Sequence, residues 1–266
     1  MKKIGICQLS DLKYYEKRKN CVNSVIDYCS RKGYDYLGAA GTLDKSVHVN
    51  YQKPLKLLQH FNEYEYLGWI DIDTAIVNRD FDLYTYLSSS ERDILYAKDP
   101  GASPLNSGVL FFRTNNYSLQ VLNEWWESRL IGTDKPWRHG GNGNGADQGR
   151  LVDVLRKHSK LNPVNPHHFN IYPTLYNRGD FLIHFMGHHP LDYDRFVRFA
   201  NEEISCDTEL EYYWLVFSCQ VWGAYQRSYE GDDKLNHRPT EIYKQAILLI
   251  ANNIDFLPLR KTKIKL

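Results

Sequence analysis

Two aspartates separated by one residue, Asp71 and Asp73, form the most chemically suggestive pair in the chain. They follow the apolar residues 66–70 and precede the apolar residues 74–77, a pattern typical of a buried strand that ends in two acids. Carboxylates at positions i and i+2 of an extended chain point to the same side, so both can face one cation. Because two like charges this close are costly to bury alone, the pair indicates either a site for Mg²⁺ or Mn²⁺ or a solvated strand end.

Two further polar clusters lie in apolar surroundings, Asp147-Gln148 and His184 with His188/His189. A histidine at a strand end is more often hydrogen-bonded than bound to metal, but two carboxylates that need a third ligand favour His184 in that role. Together with phosphate oxygens from a substrate, Asp71, Asp73 and His184 can complete an octahedral site, and the imidazole favours Mn²⁺ over Mg²⁺. The alternative for Asp147-Gln148 is a pair of helix N-cap residues.

The elements that must position these side chains follow the alternation of an α/β protein. Residues 4–9 predict a first buried strand, and residues 13–32 carry apolar side chains at helical spacing. Gly33 supplies a C-cap for that helix, after which residues 34–37 predict a second strand. A strand, a crossover helix and a strand form the opening unit of a parallel sheet.

Later segments continue this alternation up to about residue 200. Patterns predict strands at residues 66–70, 94–97, 109–112 and 181–185, and helices at residues 54–61, 119–126 and 147–158. From residue 201 to residue 266 only amphipathic helices are predicted. We therefore predict an α/β domain over residues 1–200 and a helical C-terminal extension over residues 201–266.

Composition limits the classes of function. The 266 residues are 42% hydrophobic and 24% charged, as expected for a globular protein with a sizeable core. The 33 basic and 32 acidic residues nearly cancel, which argues against a nucleic-acid partner. Five cysteines without a CxxC pair predict free thiols in a reducing compartment. We expect a cytoplasmic enzyme with no transmembrane segment, and the basic residues 260–265 favour a solvated tail over weak contact with a membrane surface.

A glycine-rich segment at residues 132–145 is the one compositionally unusual stretch. So many glycines favour a mobile loop, either a lid over substrate or an inert surface loop. It does not match a phosphate-binding loop, because no strand precedes it and no Gly-Lys-Ser/Thr follows it. Trp137 and His139 lie within this segment.

One competing interpretation of the acid pair is a haloacid-dehalogenase-type phosphatase, in which the first aspartate is the nucleophile. That motif has Thr or Val two places after the second aspartate, whereas this chain has Ala75. The motif also normally opens the fold, whereas here a strand, a helix, a strand and a helix precede it. The phosphatase is therefore the weaker alternative.

Several motifs in a fixed order resemble GT-A glycosyltransferases, and most of all glycosyltransferase family 34, the galactosyl- and xylosyltransferases. The resemblance extends over residues 4–190 and implies an α/β fold with a mixed, Rossmann-like sheet flanked by helices. The matching stretches are residues 27–29, 33–35, 51–53, 69–75, 105–113, 146–148 and 184–187.

The resemblance also implies a set of site residues. Asp71, Asp73 and His184 would hold a divalent metal, usually Mn²⁺, with Mg²⁺ as the alternative. Gln148 would lie below the anomeric carbon, and Asp147 would anchor sugar hydroxyls. Donor contacts are implied for Lys53, Ile72, Asn106, Gly187 and His189. Apart from the resemblance, Trp137 and His139 are candidates for acceptor contacts.

The expected activity is transfer of a sugar from a nucleoside-diphosphate sugar, first of all a UDP-sugar, to a glycan hydroxyl. The resemblance to family 34 implies retention of anomeric configuration. Two alternatives remain open from the residues: the phosphatase, and a non-catalytic module that binds a nucleotide sugar or a glycan. The sequence does not determine the sugar, the acceptor, the linkage or the oligomeric state.

Overall fold

The computed structural model describes residues 2–47, 49–99, 104–130, 146–158, 161–164, 169–171 and 179–185. Its strands are β1 (Lys2–Cys7), β2 (Leu9–Ser10), β3 (Asp35–Tyr36), β4 (Ala39–Ala40), β5 (Tyr64–Ile70), β6 (Thr74–Ile76), β7 (Ile94–Tyr96), β8 (Val109–Arg113) and β9 (Leu182–His184). Its helices are α1 (Leu12–Lys17), α2 (Lys19–Lys32), α3 (Gln52–Gln59), α4 (Leu83–Ser88), α5 (Asn116–Glu127) and α6 (Ala146–Lys157), with 3₁₀ turns at Val49–Tyr51 and Ser128–Leu130. No helix within these ranges is long and apolar enough to cross a membrane.

The central sheet has five strands in the order β3-β1-β5-β8-β7. Strands β3, β1 and β5 are parallel, whereas β8 runs antiparallel to β5, and β7 runs antiparallel to β8. The carboxyl ends of β1 and β5 and the amino end of β8 therefore meet at one edge of the sheet. Open α/β sheets bind ligands at the carboxyl ends of their parallel strands, so this edge is the expected place for a site.

Side chains alternate between the two faces of this sheet, and each face has its own apolar core. On β8, Leu110 and Phe112 pack beneath α3, α5 and α6, while Val109 and Phe111 pack beneath α2 and α4. Burial of each such side chain contributes about 1.5–3 kcal/mol. Gly68 on β5 leaves room for Phe111 on β8, because a Cβ there would lie 2.6 Å from the Phe111 ring. The predicted mixed sheet flanked by helices is confirmed.

The first predicted helix is interrupted, which corrects the expectation of one helix over residues 13–32. Arg18 leaves helical geometry (φ −113°, ψ 14°) and separates α1 from α2. Helix α2 buries an apolar stripe, whereas α1 buries none of its residues, so no core contact keeps α1 in line with α2. Gly33 ends α2 in the left-handed conformation (φ 67°), as predicted.

A small antiparallel pair, β6 with β9, extends from the sheet edge. Its register places Thr74 opposite His184 and Ile76 opposite Leu182. Ile171 bridges to Ile183, and the His184 amide donates to the Ile171 carbonyl at 2.8 Å. This pairing brings His184 next to the acidic pair. The predicted helical extension over residues 201–266 lies outside the described residues, so the domain boundary at residue 200 stays a prediction.

Candidate metal centre

The acidic pair lies in a turn between β5 and β6 instead of an extended strand end. The Thr74 amide donates to the Asp71 carbonyl at 3.0 Å, which closes the turn. The Asp71 amide in turn donates to the Gly108 carbonyl at 2.7 Å, which ties the turn to the start of β8. The prediction that i and i+2 spacing in an extended chain aligns the carboxylates is therefore wrong in its local geometry. The turn brings the two carboxylates together by another route.

Asp71, Asp73 and His184 form a compact group of ligand atoms. One oxygen from each carboxylate and one imidazole nitrogen all lie within 4.8 Å of one another. Nε2 of His184 lies 3.3 Å from Oδ1 of Asp73 and 3.9 Å from Oδ2 of Asp71. His184 and Asp73 are buried, and the Asp71 side chain is 27% exposed. The group thus opens to solvent on the side of Asp71.

The Asp71 carboxylate is oriented by two donors. Nε1 of Trp69 donates to Oδ1 at 2.6 Å, and Nζ of Lys53 lies 3.0 Å from the same oxygen. Burial raises the pKa of Asp71 above its ordinary value, and the nearby Asp73 charge adds to this rise, while Lys53 opposes it. A cation beside Asp71 would favour its ionised form.

The Asp73 carboxylate has a different environment. The Tyr14 hydroxyl donates to Oδ2 at 3.1 Å, and Arg18 lies beside Tyr14. Burial acts to raise the pKa of Asp73, but the nearby His184 and Arg18 and the Tyr14 hydroxyl outweigh it and hold the pKa below its ordinary value. Asp73 is therefore ionised at neutral pH and supplies a fixed negative charge.

His184 has one satisfied ring nitrogen and one that is not. Nδ1 lies 2.8 Å from Oδ1 of Asn170, whereas the buried Nε2 has no hydrogen-bond partner within the described part of the chain. A buried nitrogen left without a hydrogen bond, aimed at two carboxylates, fits a cation bound between the three groups. These residues therefore fit the divalent metal that the sequence predicted.

Lys53 connects this group to Asp147 on the first turn of α6. Its Nζ lies 2.9 Å from Oδ2 of Asp147, and both side chains are 7% exposed. The Ser107 hydroxyl also donates to the Asp147 carboxylate at 3.1 Å, and the Ser107 amide donates to Oε1 of Gln148 at 2.9 Å. Both residues lie inside α6, so the N-cap alternative does not describe them.

A cleft of about 390 Å³ opens beside the acids. Asp71, Ile72, Asp73 and Lys53 line one side. The rest of its lining is partly apolar and comes from β2, the start of α1, the 3₁₀ turn before α3 and the end of β5: Leu9, Ser10, Asp11, Tyr14, Val49, Asn50 and Trp69. The acids thus face a volume large enough for a nucleotide-sized ligand.

Comparisons with known proteins bear on the fold. No family model matches the chain, and no curated protein matches its sequence. Among solved structures, a glycosyltransferase involved in the glycosylation of the major capsid of PBCV-1 is similar, with a TM-score of 0.58 and 20% identity. The match covers 76% of this chain and 100% of that chain. The chain has the GT-A fold.

Two other matches are weaker and carry no further argument for the GT-A fold of this chain. The glycosyltransferase GlyE of Streptococcus pneumoniae TIGR4 has a TM-score of 0.48 at 14% identity, over 86% of this chain and 64% of that one. A Drosophila β1,4-galactosyltransferase 7 in complex with manganese, UDP-Gal and xylobiose has a TM-score of 0.44 at 15% identity, over 79% and 78% of the two chains.

Within this GT-A fold, the structure brings most of the predicted site residues into one region. Asp71, Asp73 and His184 meet directly, Lys53 and Asp147 join them through ion pairs, and Gln148 lies beside Ser107. The side chain of Asn106 lies behind His184, where it accepts from Asn170 and is 1% exposed. Four predicted contacts lie outside the described residues: Trp137, His139, Gly187 and His189.

Sequence reasoning missed several residues that orient the site. Tyr14 donates to Asp73, Trp69 donates to Asp71, and Asn170 contacts His184. Trp69 has a sequence signal, because it stands two places before the first acid and can reach it from the end of a strand. Asn170 has none, since it lies in an irregular segment with no apolar period.

Proposed function

We propose that this protein is a metal-dependent glycosyltransferase that uses a nucleoside-diphosphate sugar, with a UDP-sugar as the first candidate donor. The acceptor would be a glycan hydroxyl, and the resemblance to family 34 favours retention of anomeric configuration. The observation that carries the proposal is the group formed by Asp71, Asp73 and His184 at the ligand-binding edge of a GT-A sheet. Among the described residues the buried Nε2 of His184 has no hydrogen-bond partner and faces both carboxylates, which supports a cation between the three groups.

A divalent metal held by these three residues would act as a Lewis acid on the diphosphate leaving group and as a template for the donor. Carboxylate oxygens suit both Mn²⁺ and Mg²⁺, and the imidazole favours Mn²⁺. The cleft next to the acids supports a nucleotide donor, because Leu9, Tyr14, Val49 and Trp69 offer apolar and aromatic surface beside a charged end.

The remaining polar residues support a sugar subsite next to the metal group. Lys53 holds Asp147 close to Asp71, so the sugar-binding acid and the metal-binding acid keep a fixed relation. In the proposed complex Asp147 anchors sugar hydroxyls, and Gln148 stabilises the positive charge that develops at the anomeric carbon. Diphosphate contacts at Gly187 and His189 stay predictions of the resemblance, and acceptor contacts at Trp137 and His139 stay predictions from the sequence.

Slow donor hydrolysis is the most direct test, because it needs no acceptor. UDP-sugars are incubated with the protein and Mn²⁺, and released UDP is measured with and without a chelator. Asp73→Ala should abolish the metal-dependent release, whereas Asp80→Ala, the same change at an exposed position of the chain, should leave it intact. Hydrolysis that is unchanged in Asp73→Ala would overturn the metal role.

The two alternatives predict different results in the same assays. A phosphatase would release phosphate from a monoester through an aspartyl phosphate on Asp71. Trp69 and Lys53 both contact Oδ1 of Asp71. These contacts hold the carboxylate in place and favour a metal ligand over a nucleophile. A non-catalytic module would bind UDP and Mn²⁺ without any donor hydrolysis. Phosphate release from a generic monoester would support the phosphatase and count against the transferase.

A further inference from the structure

A buried chain of side-chain hydrogen bonds lies behind His184, on the side away from the acids. Nδ2 of Asn106 donates to Oδ2 of Asp99 at 3.1 Å, and Nδ2 of Asn170 donates to Oδ1 of Asn106 at 2.8 Å. Oδ1 of Asn170 then lies 2.8 Å from Nδ1 of His184. All four side chains are buried, with exposures between 1% and 9%. Buried amides in such a chain are costly to leave unsatisfied, so their orientations are fixed.

Two fixed groups determine the donor and the acceptor of every hydrogen bond in this series, the Gly108 amide and the Asp99 carboxylate. The Gly108 backbone amide, which can only donate, lies 2.8 Å from Oδ1 of Asn106, so that atom must be the oxygen. The amide nitrogen of Asn106 then faces the Asp99 carboxylate, which accepts. Asn170 must offer its nitrogen to Asn106 and its oxygen to His184. Nδ1 of His184 must therefore carry a proton.

The backbone of Asn170 gives a second and independent observation. Asn170 has φ 82°, and it is the one non-glycine residue with positive φ in the part of the chain that the structure describes. Asparagine tolerates this region better than most residues, yet the conformation is still uncommon. Such outliers concentrate at functional sites, where the surrounding structure holds them in place. Here the hydrogen bond from the His184 amide to the Ile171 carbonyl holds the segment against β9.

We propose that Asp99, Asn106 and Asn170 form a hydrogen-bonded relay that holds the ring proton of neutral His184 on Nδ1 and so leaves the Nε2 lone pair directed at the two acids. The relay makes His184 a metal ligand before the metal arrives, and it assigns the Asn106 side chain to positioning. Outer partners of this kind typically change metal affinity by 10–100-fold. The metal-binding half of the inference rests on the proposed function, but the protonation of Nδ1 does not.

The test is ¹⁵N NMR of histidine rings in the metal-free protein, labelled with ¹⁵N-histidine. The chain has ten histidines, and the His184 signals are assigned by their loss in His184→Gln. In the wild type at pH 8.5, the chemical shift of Nδ1 of His184 should be that of a protonated nitrogen and the shift of Nε2 that of an unprotonated one. An unprotonated Nδ1 at pH 8.5, about two units above the ordinary histidine pKa, overturns the relay.

Asn170→Gly is the informative variant, because glycine accepts φ 82° without strain while it removes the amide. We expect its His184 signals to move toward the Nε2-protonated tautomer and its Kd for Mn²⁺ to rise about 10–100-fold. The ring signals of His60 and His158, which contact Glu63 and Glu124, should not move. A variant that folds and keeps Nδ1 protonated, with unchanged Mn²⁺ affinity, contradicts the relay.

Asp99→Asn provides the conservative control. Its amide oxygen can still accept from Nδ2 of Asn106, so the direction of the relay and the His184 tautomer should be preserved. Loss of the tautomer in this variant counts against the relay. A wild type with protonated Nδ1 that binds no Mn²⁺ supports the relay and overturns the proposed metal-dependent function instead.

Discussion

Lys53 and Asp147 form a buried ion pair, with 2.9 Å between Nζ and Oδ2. Burial acts to lower the pKa of Lys53, but Asp147 and Asp71 outweigh it and raise this pKa above its ordinary value. The ammonium is therefore charged at neutral pH. A single buried cation between two acids joins the sugar side and the metal side of the proposed site.

Replacement of Lys53 by methionine should destabilise the protein strongly. Lys53→Met leaves the Asp147 carboxylate buried without a counter-charge, which typically costs about 3–5 kcal/mol. Urea denaturation should show this loss in the free energy of unfolding. The double variant Lys53→Met/Asp147→Asn removes the orphaned charge and should recover most of the loss. Equal stability of Lys53→Met and the wild type would contradict the ion pair.

Gly108 has no room for a side chain, because a Cβ there would overlap the ring of His184 and lie 2.9 Å from Oδ1 of Asn106. We expect Gly108→Ala to displace the imidazole and to weaken Mn²⁺ binding at least tenfold, as measured by calorimetry. Gly33→Ala is the matched control. It adds a methyl group in open space at φ 67°, so it should cost about 1 kcal/mol of stability and leave the metal affinity unchanged. Equal Mn²⁺ affinities in the two variants would rule out the predicted clash.

Metal affinity should fall as the pH falls, and Asp71 should set the onset. Its pKa is raised by burial, so protons compete with the metal at a higher pH than at an ordinary carboxylate. Trp69→Phe removes the hydrogen bond from Nε1 to the ionised form and should move this onset to still higher pH. Trp126→Phe, at a half-buried position on α5, should not move it. Mn²⁺ titrations across the acidic range measure both variants, and identical pH profiles would exclude a role for Trp69.

Cys7 and Cys29 should be inert in the folded protein. Burial raises the pKa of each thiol to about 12, so almost no thiolate forms at pH 8.5. Mass spectrometry after treatment with iodoacetamide should find neither residue modified without urea and both modified with it. Because the folded pKa is above the unfolded value of 9.0, the thiols support folding fully below pH 9 and lose that support as the pH rises toward 12. Rapid modification of the folded protein would show that β1, which carries Cys7, or α2, which carries Cys29, opens.

The sequence predicted the structure best where a hydrophobic pattern extends over a whole element and where an unusual group of polar residues occurs. The continuous apolar runs of β5 and β8 and the helical spacing on α2 predicted the layers, because a strand buried on both faces and a helix buried on one face impose those patterns. The rarity of paired acids and of a histidine at a strand end pointed to Asp71, Asp73 and His184. These are the three residues that the structure brings together.

The sequence did not predict the places where the backbone leaves a regular helix or strand. Arg18 interrupts a helix whose first turns bury nothing, and hydrophobic spacing does not register a break on an exposed segment. The turn at Asp71 replaced an extended strand end because Thr74 could close it with a backbone bond. The role of Asn170 could not be predicted, since it depends on a positive φ and on partners distant in the sequence.

The pairing of β6 with β9 also sets the order in which the molecule can be assembled. Every strand of the central sheet has been synthesised once Arg113 is added, but β9 begins only at Leu182. A growing chain can therefore complete its sheet long before it can bind an ion with Asp73 and His184 together. A ligand stabilises only the state that binds it. Metal would therefore stabilise chains that already contain β9 and not the shorter chains that precede them. Metal retention by stalled, truncated chains would thus distinguish early from late completion of the fold.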